Sequence, residues 1–179
     1  EEIKRARVYV CGLGYYELYV NGARVGRNVL DPGTTYYHND QPFEVDARVL
    51  YTTHDVTACL GDGGNVVGAI LGHGWYSAEK DIPPSPDHRE PYGDRPKLIL
   101  QMNVEFADGE GLSIVSDGTW KASRGPITYN DYCHGEDRDA RLEKSGWNAP
   151  AYNDADWDRA LEVEPPNGVL TSQMLPPIQ

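Results

Sequence analysis

Apolar and polar positions alternate through residues 5–25, with Ala6, Val8 and Val10 and then Tyr16, Leu18 and Val20 as the apolar members. A period of two is that of a strand with one face on a core. Gly12 and Gly14 interrupt the run, which predicts a bend or bulge between strands. Asn21-Gly22 closes it, the dipeptide best suited to a type I′ hairpin turn. Two or three antiparallel strands are predicted here. Strand character returns at residues 48–53 and 65–71, separated by the turn Gly61-Asp62-Gly63-Gly64; Val66, Val67, Ala69, Ile70 and Leu71 make an apolar run short enough for a buried strand. Residues 97–106 predict another strand, Asp108-Gly109 a hairpin turn and residues 112–115 its return, after which Asp117-Gly118 turns into residues 120–123.

Two intervals break the pattern. Residues 29–44 carry Pro32, Gly33, Pro42 and the polar aromatic cluster Tyr36, Tyr37, His38, Asn39 and Asp40; residues 72–95 carry His73, Trp75, Tyr76 and Pro83, Pro84 and Pro86. Both predict long loops, and a long loop inside a compact domain is either functional or poorly ordered. Beyond Gly125 the alternation weakens: residues 129–139 are polar and aromatic, and residues 146–157 are small and polar around Trp147, Tyr152 and Trp157. A short strand is expected at residues 160–163, and only short helices fit, for example around residues 155–157. Many short strands at regular spacing predict an all-β fold, an antiparallel β-sandwich or jelly roll with long loops. Residues 1–170 read as that module. Residues 171–179, with Pro176-Pro177, read as the start of a linker to a downstream domain.

The 179 residues suffice for one domain with a sizeable core. Twelve Tyr and four Trp against two Phe and two Met mean that much of the packing falls to rings with polar tips. A formal charge of −12 repels nucleic acid and anionic membrane surfaces but is indifferent to neutral sugars. Cys11, Cys59 and Cys133 are odd in number and widely spaced, so they read as free thiols. No stretch reaches the roughly 20 apolar residues that cross a bilayer.

Sugar recognition by a sandwich needs an aromatic ring over the C–H face of a pyranose and planar polar groups for its hydroxyls. The two loops supply such groups, and the candidate carbohydrate-binding set is Tyr37, Asn39, Asp40, Trp75, Tyr76, Asp94 and Arg95. Trp75, following His73-Gly74 at a strand end, reads either as the stacking platform or as a core plug that anchors its loop. The charged run at residues 135–141 offers two carboxylates, Glu136 and Asp139, against a plainer reading as an ion-pair network with Arg138 and Arg141. His38, His54, His73, His88 and His134 lack zinc-ligand spacing, and Ser77 and Ser116 lack a nucleophile-elbow context.

Several segments, in order, resemble one family. Ala6-Arg7-Val8-Tyr9-Val10-Cys11-Gly12-Leu13-Gly14-Tyr15-Tyr16-Glu17-Leu18-Tyr19-Val20-Asn21-Gly22 is similar to the start of the N-terminal β-sandwich module of bacterial α-L-rhamnosidases, glycoside hydrolase family 78. The likeness recurs at Val29-Leu30-Asp31-Pro32-Gly33, at the run opened by Arg48-Val49-Leu50-Tyr51, at Leu71-Gly72-His73-Gly74-Trp75-Tyr76, at Ser116-Asp117-Gly118-Thr119-Trp120-Lys121 and at Gly135-Glu136-Asp137-Arg138-Asp139-Ala140-Arg141. Gln173-Met174 with Pro176-Pro177-Ile178 resembles the segment leading into the next domain. Residues 34–48 depart from the family pattern, being longer.

The resemblance implies that catalysis by the parent enzyme, an inverting hydrolysis using acidic residues, belongs to a separate (α/α)₆ barrel downstream. It implies no catalytic residue in this chain, and an accessory module that binds L-rhamnose or shapes access of rhamnosylated glycans. The alternative it leaves open is a purely structural module packed on the catalytic barrel. No cofactor is required on this reading. Some relatives hold calcium beside the sugar, and Asn39, Asp40 and Asp94 are the hard oxygen donors that suit it.

Overall fold

The alternation in the first twenty residues is divided between two sheets. In the structure, a computed structural model that describes residues 1–37, 47–77 and 92–179, β1 (Ile3–Leu13) lies in one sheet and β2 (Tyr15–Val20) in the other. Gly14 makes the crossing with φ +78°, in the left-handed region, and any Cβ there would stand 2.0 Å from the Gly72 carbonyl oxygen. Only glycine fits that corner. Asn21 and Gly22, at φ 50° and 84°, form the hairpin turn into β3 (Ala23–Arg24), as the dipeptide predicts.

The remaining strands are β4 (Arg48–Asp55), β5 (Val67–Gly72), β6 (Lys97–Phe106), β7 (Gly111–Val115), β8 (Lys121–Ala122), β9 (Ile127–Asp131), β10 (Gly135–Arg138), β11 (Asp158–Arg159) and β12 (Val169–Ser172). A five-stranded sheet runs β12-β4-β1-β6-β7 and a three-stranded sheet runs β3-β2-β5. Among the described residues, all ladders of these two sheets are antiparallel except β12 on β4. Ala6, Val8 and Val10 from β1, Leu100, Met102 and Val104 from β6, and Tyr16, Leu18 and Val20 from β2 are buried together with Val56. The two sheets thus face each other across one core, an all-β sandwich.

Because side chains alternate, the other face of β1 carries Tyr9, Cys11 and Leu13. Its end is covered by a second cluster in which Cys11, Leu13, Val49, Tyr37 and Tyr76 are buried and Tyr51 and Tyr92 pack alongside. Burial pushes the Cys11 thiol up to about 12, so it stays protonated and inert. The outer face of the small sheet is covered differently. Trp147 lies over Gly68, where a Cβ would stand 2.5 Å from Trp147 Cζ3, and meets Tyr19 edge-on at 5.4 Å.

Two expectations for the C-terminal half need correction. The short strand falls at Asp158–Arg159, paired with β8, and not at residues 160–163; past the Ala160 N–H, which bonds the Trp120 carbonyl, Leu161 is 76% exposed. Residues 155–157 form a turn; among the described residues, helical geometry is confined to the 3₁₀ turns Thr57–Cys59 and Ala140–Leu142. The hairpin β9–β10 was not expected at all.

Candidate carbohydrate-binding site

The segment His73-Gly74-Trp75-Tyr76-Ser77 leaves the end of β5 as a tight turn. The N–H groups of Tyr76 and Ser77 both reach the His73 carbonyl at 3.2 Å, and His73 Nδ1 is 2.8 Å from Ser77 Oγ. Gly74 takes φ +51° and is pressed on Tyr15, whose Cδ2 lies 2.9 Å from where a Cβ would be. Consecutive side chains leave this turn in opposite senses. Tyr76 is 2% exposed and enters the cluster on the large sheet, edge-on to Tyr37 at 5.3 Å. Trp75 is 48% exposed and stacks on Tyr132, with centroids 3.9 Å apart and planes 25° from parallel.

Tyr132 comes from the tip of the β9–β10 hairpin, and its position is fixed by Asp131. That carboxylate, only 5% exposed, accepts the N–H groups of Cys133 and His134 at 2.8 and 2.9 Å and faces His134 Nδ1 at 2.8 Å. Burial works to raise the Asp131 pKa, but the Cys133 and His134 amides and the His134 ring outweigh it and hold the carboxyl below its usual range. Asn130 Oδ1 accepts the His73 N–H at 2.8 Å, tying the hairpin to the Trp75 turn. Tyr15 completes the group. Burial pushes its phenol pKa up against hydrogen bonds to Trp75 and Thr34, the Trp75 indole N–H being the donor to its oxygen. Burial likewise raises the Tyr132 phenol, aided by Cys133 and Asp131.

The structure therefore places the sequence candidates in three environments. Trp75 is in the partly open aromatic site. Tyr37, 4% exposed, and Tyr76 are inside the second cluster with Tyr92, neither offering a ring face to solvent. Asp94 and Arg95 are exposed and bonded to each other at 2.6 Å, which holds the Asp94 carboxyl below and the Arg95 guanidinium above their ordinary values. Asn39 and Asp40 lie outside the described residues. Tyr15, Asn130, Asp131 and Tyr132 were missed, although the polar aromatic character of residues 129–139 was a visible signal.

The sequence profile described as the alpha-L-rhamnosidase N-terminal domain matches residues 1–179. The chain belongs to that family. It is 37% identical over its full length to an alpha-L-rhamnosidase of Formosa agariphila, of which it covers 18%. A solved alpha-L-rhamnosidase from Dictyoglumus thermophilum superposes with TM-score 0.84 at 47% identity over 99% of this chain and 18% of that one. The Streptomyces avermitilis alpha-L-rhamnosidase, solved in complex with L-rhamnose, superposes with TM-score 0.78 at 39% identity over 89% of this chain and 14% of that one. The rhamnosidase N-terminal domain described here thus spans less than a fifth of the length of these relatives.

Within this rhamnosidase N-terminal domain the charged run has ordinary partners. Asp139 accepts the Arg141 backbone N–H at 3.0 Å and pairs with its guanidinium at 2.6 Å, and Arg138 pairs with Glu143. Arg141 holds the Asp139 carboxyl below its usual range, the wrong direction for a general acid. Among the described residues no group of three His, Cys, Asp or Glu side chains is placed to hold a metal ion. Asp94, the one described member of the calcium set, gives its carboxylate to Arg95.

Proposed function

We propose that this chain is a non-catalytic carbohydrate-binding module of an α-L-rhamnosidase and that the outer face of Trp75 receives the sugar. The observation that carries the reading is the half-exposed Trp75, stacked on Tyr132 and bonded to Tyr15, in a turn that Asn130 ties to the hairpin through His73. A rigid ring has one face covered by Tyr132 and nearly half its surface open, beside the polar groups of the hairpin tip. Pre-organisation of that kind lowers the ordering cost of binding a small ligand. Neutral hydroxyls suit a chain of strong negative charge, and L-rhamnose is bound by a relative of the same fold. Hydrolysis itself falls to another part of the longer polypeptide.

Isothermal titration with L-rhamnose, with and without calcium, tests this. Saturable heat that disappears in folded Trp75→Ala supports it. No heat at millimolar sugar in either condition leaves the structural alternative, a module whose role is packing against its barrel. A response that appears only with calcium would shift the site toward Asn39 and Asp40.

A further inference from the structure

The face of the large sheet turned away from the core is closed by packing at one end, where the second cluster buries Cys11, Leu13 and Val49 and Tyr51 lies alongside. Tyr9 meets Tyr51 edge-on at 6.1 Å and marks the border. Past Tyr9 the face carries exposed polar side chains: Arg5 and Arg7 on β1, Gln101 and Asn103 on β6, Thr53 on β4 and Ser113 on β7. The register sets Tyr9 between Thr53 and Gln101, and Asn103 between Arg7 and Ser113.

Arg7 stands on the middle strand of this sheet. Among the described residues its guanidinium makes no hydrogen bond or ion pair, whereas the cations before it are engaged, Lys4 and Arg5 sharing Glu105. Asp55, opposite Arg7 on β4, feels its charge but gives a carboxylate oxygen to the Thr57 N–H at 3.0 Å. Beside Arg7, Asn103 Oδ1 accepts Gln101 Nε2 and Ser113 Oγ, each at 3.0 Å, which leaves the Asn103 amide nitrogen as a donor. The whole five-stranded sheet carries five cations, Lys4, Arg5, Arg7, Arg48 and Lys97, against two carboxylates, Asp55 and Glu105. It is a basic sheet in an acidic chain.

We propose that this open face binds an acidic glycan, with a uronate carboxylate on the Arg7 guanidinium, the Gln101 and Asn103 amides on neighbouring hydroxyls and the Tyr9 ring against a pyranose. A carboxylate is planar and meets the guanidinium fork with two parallel hydrogen bonds. Arg7 and Tyr9 follow each other at about 7 Å along the strand, the scale of one sugar residue. The formal charge of −12 does not oppose this contact, because half of it comes from residues 131–164, none of them in the large sheet. Charges farther away than about 8 Å are screened at physiological salt. The proposal rests on the reading that the module meets glycans, but it uses no residue of the Trp75 site.

Isothermal titration of the chain with an oligogalacturonate at low salt tests it, against the methyl-esterified oligomer and a polyglutamate of similar length. The free acid is expected to bind saturably, and the ester and the peptide about tenfold or more weakly. Arg7→Gln is expected to weaken the free acid about tenfold or more, the worth of a charged hydrogen-bonded pair. Arg7→Lys keeps the charge without the fork and is expected to fall between. Arg7 is exposed, so both variants should keep the wild-type urea midpoint; if Arg7→Gln lowers it, Asn103→Ala, expected to weaken binding severalfold, is read in its place. No saturable heat at millimolar oligogalacturonate overturns the proposal. So does equal binding of the ester or of polyglutamate, or an affinity within about twofold of wild type in the folded variant. L-Rhamnose, titrated separately, reports on Trp75, so heat from L-rhamnose without heat from oligogalacturonate strikes the acidic face and leaves the Trp75 reading in place.

Discussion

Trp75 and Tyr76 are neighbours in one turn, equally aromatic, and placed in opposite surroundings. Tyr76 is sealed between Tyr37, Gly93 and the Lys97 ammonium, which lies 5.7 Å from its ring centre. Trp75 rests on one ring and is otherwise nearly half open. An aromatic in a polar loop is thus no evidence of ligand contact by itself. The turn decides, sending one ring under the sheet as an anchor and presenting the next as a surface.

The largest expected effect comes from removing the anchor. Tyr76→Ala empties a buried ring site and is expected to cost about 3–5 kcal/mol in urea unfolding; a loss under about 1 kcal/mol would erase the distinction between the two residues. Gly93→Ala comes next. Its Cβ would stand 2.5 Å from Tyr76 Cε1, and a ring packed on both sides has nowhere to go, so a cost of about 1–3 kcal/mol is expected. Trp75→Ala is expected to reduce stability by only about 1 kcal/mol, the worth of an exposed ring stack, while removing L-rhamnose binding. A large stability loss in that variant would make Trp75 a second anchor.

The same contrast extends to titrating groups and gives the smallest effect. His54 is partly buried beside Tyr16 and Thr52, with Nε2 2.9 Å from the Tyr16 hydroxyl, whereas the His134 side chain is 53% exposed. Burial lowers the His54 pKa, against a raising influence from Asp31. The fold therefore favours the neutral ring. Its contribution is fully present above the unfolded pKa of about 6.5 and is lost as pH falls through that value toward the lower folded one. Carboxylates held low, such as Asp117 and Asp139, act only below about pH 4. Urea midpoints measured from about pH 7.5 to about 5 should fall for the wild type and stay flat for His54→Gln.

The sandwich was legible because its strands bury one face: Ala6, Val8 and Val10 alternate in sequence as they do in space. The β9–β10 hairpin buries neither face well, and all four residues of β10 are exposed, so no alternation marks it. The parallel pairing of β12 with β4 joins segments far apart in the chain, which no local pattern encodes. Trp75 was legible as a candidate, but its partner Tyr132 was not, since the stack is made by two turns that meet only after the sheets assemble. Tyr37 and Tyr76 read as loop aromatics and proved to be buried, because sequence shows the residue type of a loop but not the direction it faces.

The chain has four tryptophans, Trp75, Trp120, Trp147 and Trp157, so the indole N–H resonances in an NMR titration with L-rhamnose separate the proposed site from the surfaces around the other three tryptophans at once. The Trp75 signal is expected to shift saturably while Trp120, which donates to the Val115 carbonyl, and the Trp147–Trp157 pair stay in place. A Trp75 signal unmoved at saturating sugar, or a shift confined to Trp147 and Trp157, would contradict the assignment of sugar binding to the Trp75 face.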